Sequence, residues 1–322
     1  MLESRTRVRR SVKLPVIVAA VATAVVIGLS FAVVKAWRPM ASMPQRQWNA
    51  ALPTSPGSYI GLYRQPAPAS YAGVSSFTAA TGVKPSVVVY YSGWMEPFKT
   101  NFALTVAEHG EVPLVQIDPT KISLRAIASG KYDDYLSKYA EAVRAYHRPV
   151  ILSFGHEMNA NWYSWGNRHT SPTTFVATWR HIVTLFRRLG ADNVTWLWVV
   201  NVIQRHKIPA PGPWWPGRSY VTWVGIDGYY STPSVTFAPL FGPTVAAVRA
   251  LTHAPILISE TAVAPAAGQP TKIADLFAGI RLYGLLGFVW FDTATAEDWR
   301  LLSPAAVAAF RAGAKSYRLR RS

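Results

Sequence analysis

The chain has 322 residues, half of them hydrophobic and 13% aromatic, which supplies the core of one large α/β domain rather than of one small module. It has no cysteine, which excludes disulfides, thiolate metal sites and a cysteine nucleophile. The formal net charge of +17 reads first as a solvated basic surface and tail; no nucleic-acid-binding motif accompanies it, so nucleic acid is not an expected partner.

The N-terminus is predicted to be a membrane signal. Residues 1–14 form a basic cytoplasmic segment carrying Arg5, Arg7, Arg9, Arg10 and Lys13. Pro15 to Val34 then runs without a charge. As a helix at about 1.5 Å per residue this stretch spans roughly 30 Å, one hydrocarbon core. Residues 15–36 are therefore read as an uncleaved transmembrane signal anchor in the cell membrane, with the N-terminus cytoplasmic and the main domain outside. The alternative is a cleaved secretory signal ending near Val34-Lys35-Ala36. Residues 37–57, with Pro39, Pro44, Pro53, Pro56 and Gly57, read as a tether.

From residue 58 onward, apolar strand-like runs recur: Tyr59 to Tyr63, Ser86 to Tyr91, Val112 to Ile117, Val150 to Phe154, Val194 to Val200, Tyr220 to Ile226, Ile256 to Ser259 and Leu285 to Phe291. Helical patterns lie between them, over Tyr132 to Tyr146 and Thr174 to Leu189, then Pro243 to Leu251, Lys272 to Leu282 and Pro304 to Ala314. Ser171 with Pro172 behind it is the expected cap of the second. Continuous apolar strands alternating with helices argue for a parallel sheet covered on both faces. Eight such units fit a (β/α)8 TIM barrel over residues 58–322, ending in a basic tail; an open doubly wound sheet is the alternative. No glycine-rich phosphate loop of the Rossmann or Walker type is present.

In such barrels the active site forms at the C-terminal ends of the strands. The residues there are Tyr91, Ser92 and Trp94 after the second run, Asp118 after the third, His156, Glu157 and Asn159 after the fourth, and Asn201 after the fifth. Asp227, Tyr229 and Tyr230 follow the sixth, Glu260 the seventh, and Trp290 and Asp292 close the eighth. The chain has only eight glutamates, and two of them fall at these positions. Two glutamates at strand ends are the pair a glycosidase needs. His156, Glu157 and His169 lack metalloprotease spacing, so neither a metal nor a cofactor is expected.

The segment Gly155-His156-Glu157-Met158-Asn159-Ala160-Asn161-Trp162-Tyr163 closely resembles the acid/base motif of glycoside hydrolase family 26, whose best-known members are β-mannanases. Trp223-Val224-Gly225-Ile226-Asp227-Gly228-Tyr229 resembles that family's sixth-strand motif, and Ile258-Ser259-Glu260 its nucleophile strand. The similarity runs over roughly residues 58–312. It implies a retaining, endo-acting hydrolase with Glu157 as general acid/base and Glu260 as nucleophile. It further implies that Tyr229 hydrogen-bonds the nucleophile and that His156 binds the sugar or orients a carboxylate. Asp227 is expected to hold His156 or another polar partner, Asn159 to contact substrate or turn the chain, and Trp162 and Trp290 to stack on sugar rings. Ala160, Tyr230, Ala262 and Val263 depart from the family pattern. The expected substrate is β-1,4-mannan, with mixed-linkage β-glucan or β-xylan as alternatives and a non-catalytic exopolysaccharide-binding barrel as the reading from another class. The surplus positive charge adds an anionic lipid surface or an acidic glycan as an expected partner.

Overall fold

The computed structural model describes residues 51–318 apart from Leu302. The basic segment, the anchor at 15–36, the first part of the tether and the end of the basic tail lie outside the described residues. Among the described residues no helix is long and apolar enough to cross a membrane.

Eight parallel strands close in sequence order into a barrel: β1 (Tyr59–Tyr63), β2 (Val87–Gly93), β3 (Val112–Asp118), β4 (Val150–Phe154), β5 (Val194–Asn201), β6 (Trp223–Asp227), β7 (Ile256–Thr261) and β8 (Gly287–Phe291). Pairing of β1 with β8 completes the cylinder and sets aside the open-sheet alternative. The helices are α1 (Ala72–Thr81), α2 (Thr100–Glu108), α3 (Leu124–Ala128), α4 (Asp133–Tyr146), α5 (Pro172–Arg188), α6 (Phe237–Leu251), α7 (Gln269–Leu282) and α8 (Pro304–Arg318). The cap of α5 is the expected one: Ser171 Oγ accepts from the Thr174 amide at 3.2 Å, with Pro172 in the first turn.

Strand alternation sorts the apolar side chains into two cores. Val87, Val89, Leu114, Ile151, Leu197, Val199, Leu257 and Val289 fill the barrel. Their neighbours Val88, Val115, Leu152, Trp198, Val224, Ile258 and Trp290 face the helices. Both faces are dry, which is why the strands read as unbroken apolar runs instead of alternating ones.

The last residues of the tether belong to this domain. Leu52 packs on the interior core, Tyr59 donates its hydroxyl to the Pro53 carbonyl at 2.8 Å, and the Gly57 amide reaches the Leu285 carbonyl at 2.9 Å. Residues 51–57 are thus ordered against the N-terminal end of the barrel rather than serving as a spacer.

Two irregularities shape the opposite end. The pairing of β7 shifts register against β6 at Asp227 and against β8 beyond Ile258. Strict alternation would turn Ser259 and Glu260 to opposite faces. The shift lets Ser259 bond Asp227 while Glu260 reaches across the barrel mouth to Tyr91 of β2. Beyond β4 the chain turns through Gly155 at φ 56° and Glu157 at φ 55°. A glutamate in the left-handed region carries backbone strain, a feature that gathers at functional sites.

Candidate active site

Three carboxylates converge at the C-terminal mouth. Glu157, Asp227 and Glu260 are all buried and present oxygens within 4.8 Å of one another. Each accepts from side-chain donors at the mouth. Glu260 accepts from the Tyr229 hydroxyl at 2.8 Å and, on its other oxygen, from the Tyr91 hydroxyl. Glu157 accepts from the Trp162 indole at 2.7 Å and from the Asn201 side-chain amide. Asp227 accepts from Ser259 Oγ at 2.5 Å, while its second oxygen has no partner among the described residues.

Three anions this close in a dry pocket do not all keep their charge. Burial pushes the Glu157 carboxyl up, and the Glu260 charge adds to it, while His156, Asn201 and Trp162 pull it down; the outcome is about 7. Asp227 is driven well above the usual carboxylate range, first by burial and then by Glu260 and Glu157. Burial and Glu260 also hold the Tyr91 and Tyr229 phenols well above their ordinary value, so both remain donors. The site therefore has an acid that holds a proton near neutrality opposite a carboxylate whose two oxygens face phenol hydroxyls. All four oxygens of Glu157 and Glu260 accept from neutral donors, a donor set that serves proton chemistry rather than a cation.

His156 is 2% exposed. Its Nδ1 lies 2.9 Å from Asp118 and its Nε2 3.1 Å from the Tyr163 hydroxyl. Burial pulls its pKa down, but Asp118 and the two glutamates outweigh that and lift it to about 9. His156 is thus cationic at neutral pH, held by Asp118 and not by Asp227.

Two expectations are corrected. Trp290 is fully buried and packs edge-on against Phe310 of α8, 5.6 Å between rings. It follows the inward-facing Val289, so alternation turns it outward, and Phe291 takes the place at the mouth. Asn159 does not reach substrate space. It donates to the carbonyls of Asn201 and Pro209 and accepts from the Asn201 amide at 2.8 Å, so it fixes the chain that presents Asn201 to Glu157. Trp162 is placed differently: it is 51% exposed, with its N–H on Glu157 and its ring free to meet a sugar.

The mouth opens into a cavity of about 370 Å³, walled by Tyr63, Tyr163, Phe291 and Trp299 around Glu260 and His156. A larger hollow of about 510 Å³ lies between α6 and α7 at Phe237 and Leu282, away from the carboxylates. Tyr91, Asp118 and Asn201 stand at strand ends in the sequence, but their type and position alone give them no part. Tyr163 belongs to the motif around Glu157, whereas Tyr63, Phe291 and Trp299 lie outside the motifs; for Tyr63 and Phe291 the usable signal is strand parity, since each falls an even number of residues from an inward-facing neighbour. For Trp299, in the loop beyond β8, the sequence carries no such signal.

A family model described as glycosyl hydrolase family 26 matches residues 117–298. Endoglucanase H of Acetivibrio thermocellus is 30% identical over 272 residues, which is 79% of this chain and 30% of that protein. Beta-1,3-xylanase TXYA of a Vibrio species is 26% identical over 166 residues, 48% of this chain and 35% of that one. The chain thus spans about a third of the length of these relatives. Among solved structures, an endo-beta-1,4-mannanase of Cellulomonas fimi superposes with a TM-score of 0.64 at 18% identity, covering 80% of this chain and 71% of that one. The mannanase man26 of Bacillus subtilis gives 0.59 at 18% identity, covering 81% and 87%. At such identities the likeness is one of fold.

Proposed function

The chain belongs to glycosyl hydrolase family 26, and from that premise we propose that it is a retaining, endo-acting glycosidase that cleaves a β-1,4-mannan-type polysaccharide. The observation that carries this reading is the spacing of Glu157 and Glu260. Retention needs the two carboxyl groups about 5–5.5 Å apart, whereas inversion needs roughly 6.5–9.5 Å to admit a water. Oxygens within 4.8 Å of one another support the first.

In the first step a Glu260 oxygen bonds to the anomeric carbon. The bond from that carbon to the leaving oxygen breaks, and the Glu157 proton passes to that oxygen. Tyr229 and Tyr91 orient the nucleophile and spread its charge. In the second step Glu157, now anionic, takes a proton from water. The water oxygen bonds to the anomeric carbon, and the ester to Glu260 breaks. Burial and the Glu260 charge hold the proton on Glu157 before the first step. Consuming the Glu260 charge in the ester removes one cause of that elevation, which suits Glu157 to act as a base in the second. The ring of Trp162 serves the leaving-group side; Tyr63, Phe291 and Trp299 serve the other.

Mixed-linkage β-glucan and β-xylan are the second reading, motivated by the relatives named endoglucanase and β-1,3-xylanase. The uncharged stretch from Pro15 to Val34 further motivates a membrane-tethered enzyme with its barrel outside the cytoplasm. Reducing-end release by the full chain on mannan, glucomannan, mixed-linkage glucan and xylan tests the reading, with Glu260→Ala as control. Release on mannan that the variant loses is the expected result. Release on another polymer alone reassigns the sugar. No release on any of them, from folded protein, sinks the plain mannanase reading and leaves a polysaccharide outside this neutral panel or a binding barrel.

A further inference from the structure

Charge is distributed unevenly around the cleft. The loop from Val202 to Thr222, after β5, contains no aspartate or glutamate. Its tip is a tight hairpin, with Gln204 bridged to Ile208 and the Ile208 amide on the Gln204 carbonyl at 2.9 Å. The hairpin exposes Arg205, His206 and Lys207 in a row. Its base is tied to the site: the loop follows Asn201, which bonds Glu157, and the Pro209 carbonyl accepts from Asn159 at 3.2 Å. The neighbouring loop after β4 exposes Arg168 and His169, the latter bonded to the Asn161 carbonyl beside Trp162. Glu157 is the one acid between Gly155 and Ser171, and it is buried.

The Glu260 side is different. Arg64 there is paired with Asp292 at 2.5 Å, and Arg300 with Asp298 at 2.7 Å. Among the described residues no ion pair involves Arg168, Arg205 or Lys207. Exposed cations without an ion pair thus lie on the two loops that leave the Glu157 side of the site, while Arg64 and Arg300 beyond β1 and β8 are paired.

We propose that the leaving-group side of the cleft binds an anionic β-glycan, whose acidic substituents are read by Arg205, His206 and Lys207 on the hairpin and by Arg168 and His169 on the neighbouring loop. This inference rests on the glycosidase reading for which side is which, and it adds acidic substituents to the β-glycan that the cleft prefers. Unpaired guanidinium and ammonium groups on a loop without acids raise the local concentration of a polyanion and hold its carboxylates by charge-assisted hydrogen bonds. Two cations on one hairpin, Arg205 and Lys207, four and six residues beyond the end of β5, fit a periodic row of charges better than a single ion.

The test measures binding of the full chain carrying Glu260→Ala, so that no polymer is consumed, to carboxymethylated β-glucan and to the same glucan unmodified. The carboxymethylated polymer is expected to bind more tightly. The preference should shrink between about 0.01 and 0.15 M salt, where the screening length falls from ~30 to ~8 Å. Arg205→Ser with Lys207→Ser should weaken that binding about fivefold, the scale of two exposed charge contacts, and leave the neutral polymer unaffected. Arg188→Ser with Lys138→Ser, exposed on α5 and α4, removes the same charge from the helical wall and should change little. Equal loss in the two double variants would overturn the proposal, because net charge alone would then account for binding. Equal affinity for the two polymers would overturn it as well. Since binding needs no turnover, failure of hydrolysis would sink the glycosidase reading by a separate measurement.

Discussion

At the scale of residues, Glu157 and Glu260 are distinguished by their surroundings and not by their type. Azide separates them. Glu157→Ala should lose about 10²–10⁴ in rate on substrates with poor leaving groups; on an activated aryl glycoside, whose departure needs no proton, azide should restore turnover with a product of unchanged anomeric configuration. Glu260→Ala should be restored only as the inverted glycosyl azide. The pH profile offers a second check. Glu157 must carry its proton for the first step, so kcat/KM should fall as pH rises through about 7, where this carboxyl titrates. Asn201 bonds the charged form and lowers that value. Asn201→Ala should therefore move the alkaline limb upward, whereas a residue with a purely structural part would lower the rate without moving the limb. Both glutamates were legible in the sequence because carboxylates are rare in this chain and these two end apolar runs. The error at Trp290 has a plain cause. Proximity to a strand end says nothing of which face a side chain takes, and counting by twos from the inward Val289 points to Phe291 instead.

At the scale of elements, all eight strands were legible from continuous apolar runs, the signature of a sheet dry on both faces. The missed helices are α1, α2 and α3. The first is rich in Ser, Thr and Ala with little amphipathic contrast, and the third has only five residues. Their helicity is imposed by docking on the barrel rather than by local pattern. The register shift at β7 left no sequence signal either, though it sets the direction of Glu260. Gly225 is the element on which this corner depends. A Cβ there would lie 2.7 Å from Val199 Cγ2 and against Ser259, the residue that holds Asp227. Gly225→Ala should cost about 1–3 kcal/mol of stability by overpacking and reduce kcat more than Ser259→Ala does. Thermal melts and kinetics together check it; a neutral Gly225→Ala would show that the corner is not tightly packed.

At the scale of the whole molecule, the acidic cluster is assembled at a cost to stability. The carboxyl of Glu157 titrates near 7 in the folded chain and at about 4.3 when unfolded. Between these values the folded state binds the additional proton, so its stability declines as pH rises through that window and levels off above it. Glu157→Gln removes the decline. Its melting temperature should exceed that of the parent by several degrees at pH 8, on the scale of a kcal/mol or two in a large domain, and by little at pH 4. An advantage equal at the two pH values would indicate repacking instead of relief of charge. The opposing contribution of His156 is present below about 6.5 and fades as pH rises through about 9, so it leaves this window largely untouched.

The central claim is that Glu157 and Glu260 act as a retaining pair, and the anomeric form of the first product tests it most directly. Proton NMR during the opening minutes of hydrolysis, before mutarotation, should show the new reducing end as the β-anomer. The α-anomer appearing first would mean a single inverting displacement, and would contradict the assignment of Glu260 as the nucleophile.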